Sequence, residues 1–456
     1  MALISSCLLT LTACSSLSMG NLFSHYTAQH QSVYQDVKRG DYQAALNEQS
    51  NQAIGGDILD NLELGRIAWL AGDPAQSFTA LQAGQKAVEK QQNKALISLS
   101  DTSDSIAALA VNENVNAYTP SDYELGFLHL YLGLNYIQRN DLEGALVEMR
   151  LANQVQEEAE RVRQASLSKQ KTALSEQGLS ANIGQVLARY PTSEGLSGYQ
   201  NAYLFFLSAL LYQAQGNNND AYVDLKRALA VAPTNPQVIA QTKALAQSLA
   251  IEDDLDLLRA YSQPVTQLKA NQGRVIVIAE KGTVEALQGW QLSLPILSRS
   301  QGVNLYSVAL PYYPQQRNSA PIQATLGNQS VDFSLLMDVN TMANYHLRER
   351  LPSLVFRQMI RLIAKTQISR QAGNGGFGLA LNVWNALTEQ PDTRSWQTLP
   401  AVVYSASQVL SEGKYPFSIA GQSFDIDVSA GETSLVILSN QAMGVHLLQK
   451  KLGKIQ

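Results

Sequence analysis

One local pattern recurs four times in the first half of the chain. A Gly/Asn–Asp type turn is followed by a small residue and an apolar stripe at helical spacing. The copies are Gly40-Asp41-Tyr42-Gln43-Ala44-Ala45-Leu46, Gly72-Asp73-Pro74-Ala75-Gln76-Ser77-Phe78, Asn140-Asp141-Leu142-Glu143-Gly144-Ala145-Leu146 and Asn218-Asn219-Asp220-Ala221-Tyr222. Internal similarity of this kind restricts the fold severely. Each unit is a pair of helices that cannot bury its apolar face alone, so the units stack and bury a common core. Taking Ala45, Ser77, Ala145 and Ala221 as anchors, the spacings are 32, 68 and 76 residues. The wider steps require insertions, placed at 91–120 and 158–198. Residues 236–262 read as a terminal helix that closes the stack.

The two best copies resemble the tetratricopeptide (TPR) repeat. Leu132-Gly133, Tyr136, Ala145, Met149 and Ala152 fall at its signature offsets in one, and Phe205, Ala209, Tyr212, Ala221, Leu225, Ala228 and Pro233 in the other. Small residues at these places let two helices cross closely, and Pro233 stops the second. The resemblance implies TPR-like helical hairpins over 25–262, with Phe127, Leu130, Leu134, Tyr203, Phe206 and Leu210 lining the concave face. Two readings of that lining stand side by side: a groove for an apolar or helical partner segment, or an interior filled by the insertions. The balance favours filling.

The N-terminus says where the chain goes. A short apolar run from Ala2 to Leu11 closes on Leu11-Thr12-Ala13-Cys14, too short to span a bilayer and shaped like a signal peptide. The ending resembles a bacterial lipobox, which implies cleavage after residue 13, acylation of Cys14 and a tether over 14–24. No Lys or Arg precedes Cys14, a departure from the usual basic start, so the natural start codon is expected upstream of Met1. Cys7 is the weaker alternative lipid site. Ser15 in place of an aspartate implies the outer membrane, with the folded part in the periplasm of a Gram-negative cell. The only cysteines are Cys7 and Cys14, so no internal disulfide is expected in the mature chain.

Past Gln272-Gly273 the pattern turns to short β-branched runs broken by Gly and Pro, which marks a β-rich domain over 272–456. Strands are expected at 274–279, 291–297, 304–310, 322–326, 330–335, 401–405, 415–419, 422–428 and 434–439, the last three as a meander. A long helix is expected over about 340–372, kinked or broken at Pro352. Arg350, Arg357 and Arg361 share one of its faces, more simply a solvated stripe than an anion site. Gly373-Asn374-Gly375-Gly376-Phe377-Gly378 follows a helix and lacks the Lys-Ser/Thr of a phosphate-binding loop. Asp392, Arg394 and Trp396 fall within five residues. A buried Arg–Asp pair stacked on an aromatic, holding the loop that enters the last strands, is the simpler reading there; a functional site is the other.

Three stretches together resemble a family of proteobacterial outer-membrane lipoproteins with TPR-like N-terminal halves, a family without an assigned activity. They are Tyr118-Thr119-Pro120-Ser121-Asp122-Tyr123 leading to Leu134-Asn135-Tyr136-Ile137 and Ala145-Leu146-Val147-Glu148-Met149-Arg150; Leu351-Pro352; and Asp392-Thr393-Arg394-Ser395-Trp396 through Leu399-Pro400. The resemblance implies fold and location but no catalytic residues. The plan is also similar, more loosely, to envelope lipoproteins that use helical repeats to regulate cell-wall synthases or hydrolases.

Composition narrows the function classes. Among 456 residues, 45% are hydrophobic, 16% charged, and the net charge is −5. That balance excludes a disordered chain and gives no basic surface for nucleic acid. Five histidines and two cysteines leave little stock for a metal site, and neither a Gly-x-Ser-x-Gly elbow nor a His-Glu-x-x-His motif occurs. The expected fold class is α + β in separate domains. The expected function is a non-catalytic, outer-membrane-anchored adaptor with envelope proteins as partners, and no metal or cofactor. The alternative is a carbohydrate or cell-wall binder, or an enzyme, in the β domain, drawing on His346, Glu349, Asp392, Arg394 and His446.

Overall fold

Each repeated turn ends one helix and starts the next. The computed structural model describes residues 25–98, 117–176, 186, 188–190, 195–298, 302–315, 321–372 and 391–455. Gly40, Gly72, Asn140 and Gly216 are all left-handed, with φ of 83°, 76°, 62° and 78°. The residue after each donates its N–H back to a helix carbonyl: Asp41 to Asp36, Asp73 to Ala68, Asp141 to Tyr136 and Asn217 to Tyr212. Asp41, Asp73 and Asp141 then cap the next helix, accepting from the N–H of Ala44, Gln76 and Gly144. One backbone solution therefore serves all four turns, with Gly or Asn where φ is positive and Asp or Asn next to it, although the fourth turn lies at Gly216-Asn217 and the expected Asn218-Asn219-Asp220 already begin the next helix.

The helices so joined are α2 (Gln31–Arg39) with α3 (Tyr42–Gln49), α4 (Gly56–Leu70) with α5 (Pro74–Ser98), α6 (Asp122–Gln138) with α7 (Leu142–Glu176), and α8 (Ala202–Ala214) with α9 (Asn218–Val231); a single turn, α1 (Tyr26–Gln29), precedes them. The expected terminal helix is two, α10 (Pro236–Ser248) and α11 (Glu252–Leu258). Small residues set the crossings: a Cβ on Gly133 would come within 2.4 Å of Met149 Cε, and one on Gly65 within 2.5 Å of Leu81 Cγ. The 158–198 insertion extends α7 to Glu176, and the start of the 91–120 insertion extends α5 to Ser98. The leader with Cys7 and Cys14, the tether, the glycine run at 373–378 and the middle parts of both insertions lie outside the described residues.

Residues from 272 onward fold as strands about one long helix. They are β1 (Gln272–Lys281), β2 (Gln288–Ser298), β3 (Gly302–Tyr312), β4 (Ala324–Leu326), β5 (Gln329–Ser330), β6 (Ser334–Asp338), α12 (Val339–Ala372), β7 (Val402–Ser411), β8 (Gly413–Ile419), β9 (Gln422–Val428), β10 (Thr433–Gln441) and β11 (Gly444–Gly453). A five-stranded sheet runs in the order β11-β10-β1-β7-β6, a four-stranded sheet β5-β4-β8-β9, and β2 pairs with β3. α12 continues through Pro352 and packs Leu347, Leu351 and Leu354 with Val308 and Leu310 of the β2–β3 hairpin.

The fold class is α + β, but the two halves do not have separate cores. β1 and β10 are parallel neighbours at the centre of the large sheet, and both of their faces are buried. Ile276, Ile278, Leu435 and Ile437 join one continuous core with Phe127, Leu130, Leu134, Tyr203, Phe206 and Leu210 of the helices. Alternate residues Val275, Val277, Val436 and Leu438 pack with Phe417 and Ile426 of the four-stranded sheet. The period-two alternation of two apolar strands thus makes three layers: helices, large sheet, small sheet.

Three expectations are corrected by this arrangement. The inner face of the helical hairpins is filled, and the chain's own β-sheet fills it, with Tyr118 of the first insertion in the same core. The last strands are not a meander: β8 and β9 form a hairpin in the small sheet, while β10 crosses to the large sheet beside β1. There β10 is buried along its whole length, which its Leu-Val-Ile-Leu run satisfies better than a half-exposed meander strand would. The final strand, β11, was missed because His446, Lys450 and Lys451 interrupt its apolar alternation.

The halves also meet backbone to backbone. A Cβ on Gly444 would lie 2.6 Å from Gly40 Cα and 2.7 Å from Gly40 O, so the first repeat turn rests on the β10–β11 turn. Gly444→Ala should destabilise the protein by about 3 kcal/mol, at the upper end of overpacking effects. Gly216→Ala, at a left-handed position but with nothing within 4 Å of its Cβ, should cost only about 1–2 kcal/mol. Urea midpoints of the two variants measure the difference.

Candidate functional site

The densest polar chemistry lies where helices and sheet meet. Glu280, the next inward position of β1 after Ile276 and Ile278, is fully buried. Its Oε2 is 2.8 Å from Arg66 Nη2, and neither side chain is solvent-exposed. Tyr131 and Tyr203 donate hydroxyl hydrogens to Oε1 at 3.1 and 3.3 Å, and Ser439 donates to Oε2 at 2.6 Å. Arg66 completes its own shell with Thr398 O and the Ser439 hydroxyl, and its guanidinium lies 4.5 Å from the centre of the Tyr131 ring. Thus α4, α6 and α8 each contribute one side chain to a single carboxylate on the sheet.

Beside it, two more buried glutamates grip the segment entering β7. Glu63 on α4 accepts the Gln397 N–H at 2.6 Å, the Thr398 N–H at 3.3 Å and the Thr398 hydroxyl. Glu124 on α6 accepts the Trp396 N–H at 2.8 Å and the Tyr118 hydroxyl at 2.7 Å. Glu124 also closes the capping box of α6 with Ser121. Burial pushes both carboxyl groups up from their ordinary range, and the hydrogen bonds they accept pull the other way. His30 joins the same grip, with one ring nitrogen 3.1 Å from Gln397 Oε1 and the other 2.9 Å from Gln49 Oε1. These contacts are sealed from solvent. Glu280 spends its lone pairs on four partners, so the cluster fastens the two halves rather than meeting a substrate.

Sequence-selected residues distribute unevenly around this centre. All six expected groove residues, Phe127, Leu130, Leu134, Tyr203, Phe206 and Leu210, have no exposed surface, so they form no open groove. Asp392 and Arg394 pair through two contacts, 2.9 and 2.7 Å, as expected, but the pair is half-exposed rather than buried. The aromatic beside Arg394 is Tyr118, with the guanidinium 5.9 Å from its ring centre. Trp396 points instead into the core, fully buried and edge-on to Tyr131 at 6.0 Å. The hydrolytic candidates sit in different surroundings. His446 on β11 meets Trp69 edge-on at 4.9 Å, whereas His346 on α12 lies 5.2 Å from the Tyr123 ring and Glu349 stands on the same helix. Arg350 is exposed; the side chains of Arg357 and Arg361 lie outside the described residues.

Arg66, Glu63, Glu124 and Glu280 escaped selection. Their signal was present: charged side chains inside apolar stretches, Leu62-Glu63-Leu64-Gly65-Arg66-Ile67 and Val275-Ile276-Val277-Ile278-Ala279-Glu280, where an ion rarely sits without a partner. Among the described residues no group of three or more His, Cys, Asp and Glu is arranged to hold a metal ion, and no helix is long and apolar enough to cross a membrane.

Two outcomes test the energetics. Arg66→Met should destabilise by about 3–5 kcal/mol because it strands the Glu280 charge. Adding Glu280→Gln should recover more than half of that loss in a double-mutant cycle, while strict additivity would show the pair to be uncoupled. For His446, burial above all, with help from the Arg66 charge, lowers the pKa from 6.5 to about 4. The folded state keeps this ring neutral while the unfolded chain protonates first, so its stability contribution is present above pH 6.5 and lost as pH falls toward 4. His446→Phe, which keeps a ring against Trp69, should therefore gain on the parent protein by on the order of 2–3 kcal/mol between those values. Glu63 and Glu124, raised in the fold, favour the folded state on acidification in both proteins, so the difference in melting curves against pH isolates the histidine.

Neither the family models nor the curated proteins compared with the chain match it.

Proposed function

We propose that the protein is a lipoprotein of the outer membrane, held by acylated Cys14 and facing the periplasm, where it acts as a non-catalytic scaffold for envelope proteins. The hairpins are TPR-like in their turn chemistry and small-residue crossings. The observation that carries the scaffold reading is the filled inner face. Arg66, Tyr131 and Tyr203 lock three hairpins onto Glu280, so the molecule presents a fixed outer surface rather than a groove that opens for a peptide. Partners of such a body meet its exterior. Val147 on α7 and Val223 on α9 are large apolar residues left 45% and 50% exposed on the outer helices. The polar side chains of the interior bind the chain to itself, which favours a mechanical over a catalytic role.

The test is lipid labelling with fractionation. In a Gram-negative host with the natural leader, the protein should incorporate radioactive palmitate and float with outer-membrane vesicles on a sucrose gradient. Cys14→Ala should abolish the label, and the protein should leave that fraction. A chain that is released soluble with Cys14 intact, or that labels equally without it, would refute the proposal.

A further inference from the structure

A wide cleft lies away from the buried cluster, between the small sheet and Tyr404 on β7 of the large one. It is open along one side and has a volume of about 760 Å³. Its floor is apolar and anchored in the second core through Ile322. Two aromatic side chains, Phe333 and Tyr404, pack on that core while staying half-exposed. Around them stand Gln323, Thr325 and Asp332, all exposed. Among the described residues these three side chains make no hydrogen bond or ion pair, unlike the polar groups of the interior, which are spent on one another. Among the described residues no Lys, Arg or His lines the cleft.

That combination selects a ligand class. Aromatic faces beside unpaired amide, hydroxyl and carboxylate groups suit a molecule with apolar faces and many hydroxyls. The Asp332 carboxylate on the rim suits a neutral hydrogen-bond donor better than an anion. Resting on the envelope location argued above, we propose that this cleft binds an oligosaccharide of N-acetylated amino sugars. The acetyl methyl would lie on Ile322 and the ring faces on Phe333 and Tyr404. The Asp332 carboxylate would accept from the sugar amide N–H and hydroxyls, while the Gln323 amide and Thr325 hydroxyl donate to its oxygens. Binding is non-covalent, with no bond made or broken.

The probe is the tetramer of N-acetylglucosamine, titrated into the full mature chain in detergent and followed by calorimetry and saturation-transfer NMR. The expected result is millimolar or tighter binding, with the acetyl methyls among the most strongly saturated protons. Thr325→Ala and Asp332→Ala, both surface changes, should each weaken it about tenfold. Tyr404→Ala should abolish it and Tyr404→Phe retain it, with melting curves confirming that the variants fold. Co-sedimentation with purified sacculi then tells the intact wall from released fragments as the source. No saturation at millimolar tetramer, or affinity unchanged in the Thr325 and Asp332 variants, would overturn the proposal. Equal affinity for a glucose tetramer would overturn the acetamido assignment. None of these results would alter palmitate labelling or fractionation, so failure of the cleft and failure of the membrane reading are separable.

Discussion

A carboxylate at the centre of an apolar sheet is among the most expensive groups a fold can bury, and the rest of this structure is arranged around making one tolerable. Glu280 has no water to turn to. Its charge is met by Arg66, and its oxygens by Tyr131, Tyr203 and Ser439. Because those donors come from α4, α6, α8 and β10, the price is met only when three hairpins and two strands are in register together. A hydrophobic side chain at 280 could slide by an ångström at little cost; a carboxylate with four fixed partners cannot. The pair is thus better understood as setting position than as adding net stability.

The segment at 396–398 is held by the complementary device. Here the sheet side supplies backbone N–H groups that no strand partner uses, and the helices supply carboxylates, Glu63 and Glu124. Asn235 plays the same part at the other end of the interface. It caps α10 with its oxygen, while its amide nitrogen donates to Leu335 O at 2.9 Å on the edge strand β6. An edge that would otherwise offer its carbonyls to a neighbouring chain is partly occupied from within. Charged and amide side chains at this boundary do the work that hydrogen-bond ladders do inside a sheet.

Much of the local structure was legible in the sequence and little of the long-range pairing was. Three of the turns were readable because Gly40, Gly72, Asn140 and Asp41, Asp73, Asp141 each solve a local backbone problem, whereas the fourth, sought at Asn218-Asn219-Asp220, sits just before them at Gly216-Asn217. β1, β7 and β9 were readable because short β-branched runs between Gly and Pro permit little else. The joining of the halves was not readable. The apolar lining at Phe127 and Tyr203 marks a surface that must be covered, yet hydrophobicity carries no address, and a covering insertion and a covering sheet leave the same trace. The partners of Glu280 lie at positions 66, 131, 203 and 439, a spacing that follows from topology alone. The Asp392–Arg394 pair, two residues apart, was legible for the opposite reason.

The parallel pairing of β1 with β10 has a consequence for the order of events in a growing chain. The sheet that covers the helices places residues 272–281 between residues 402–411 and 433–441. Its central strand therefore waits for both neighbours, and the second is completed near the C-terminus. Until then the hairpins made earlier have their inner wall of leucines and aromatics bare, and the Arg66–Glu280 pair lacks its Ser439 partner. A ribosome finishing this protein holds some two hundred residues of helix-forming chain that can coil but cannot settle. Whatever meets the chain in that interval must keep it from sticking to itself until its last strands arrive.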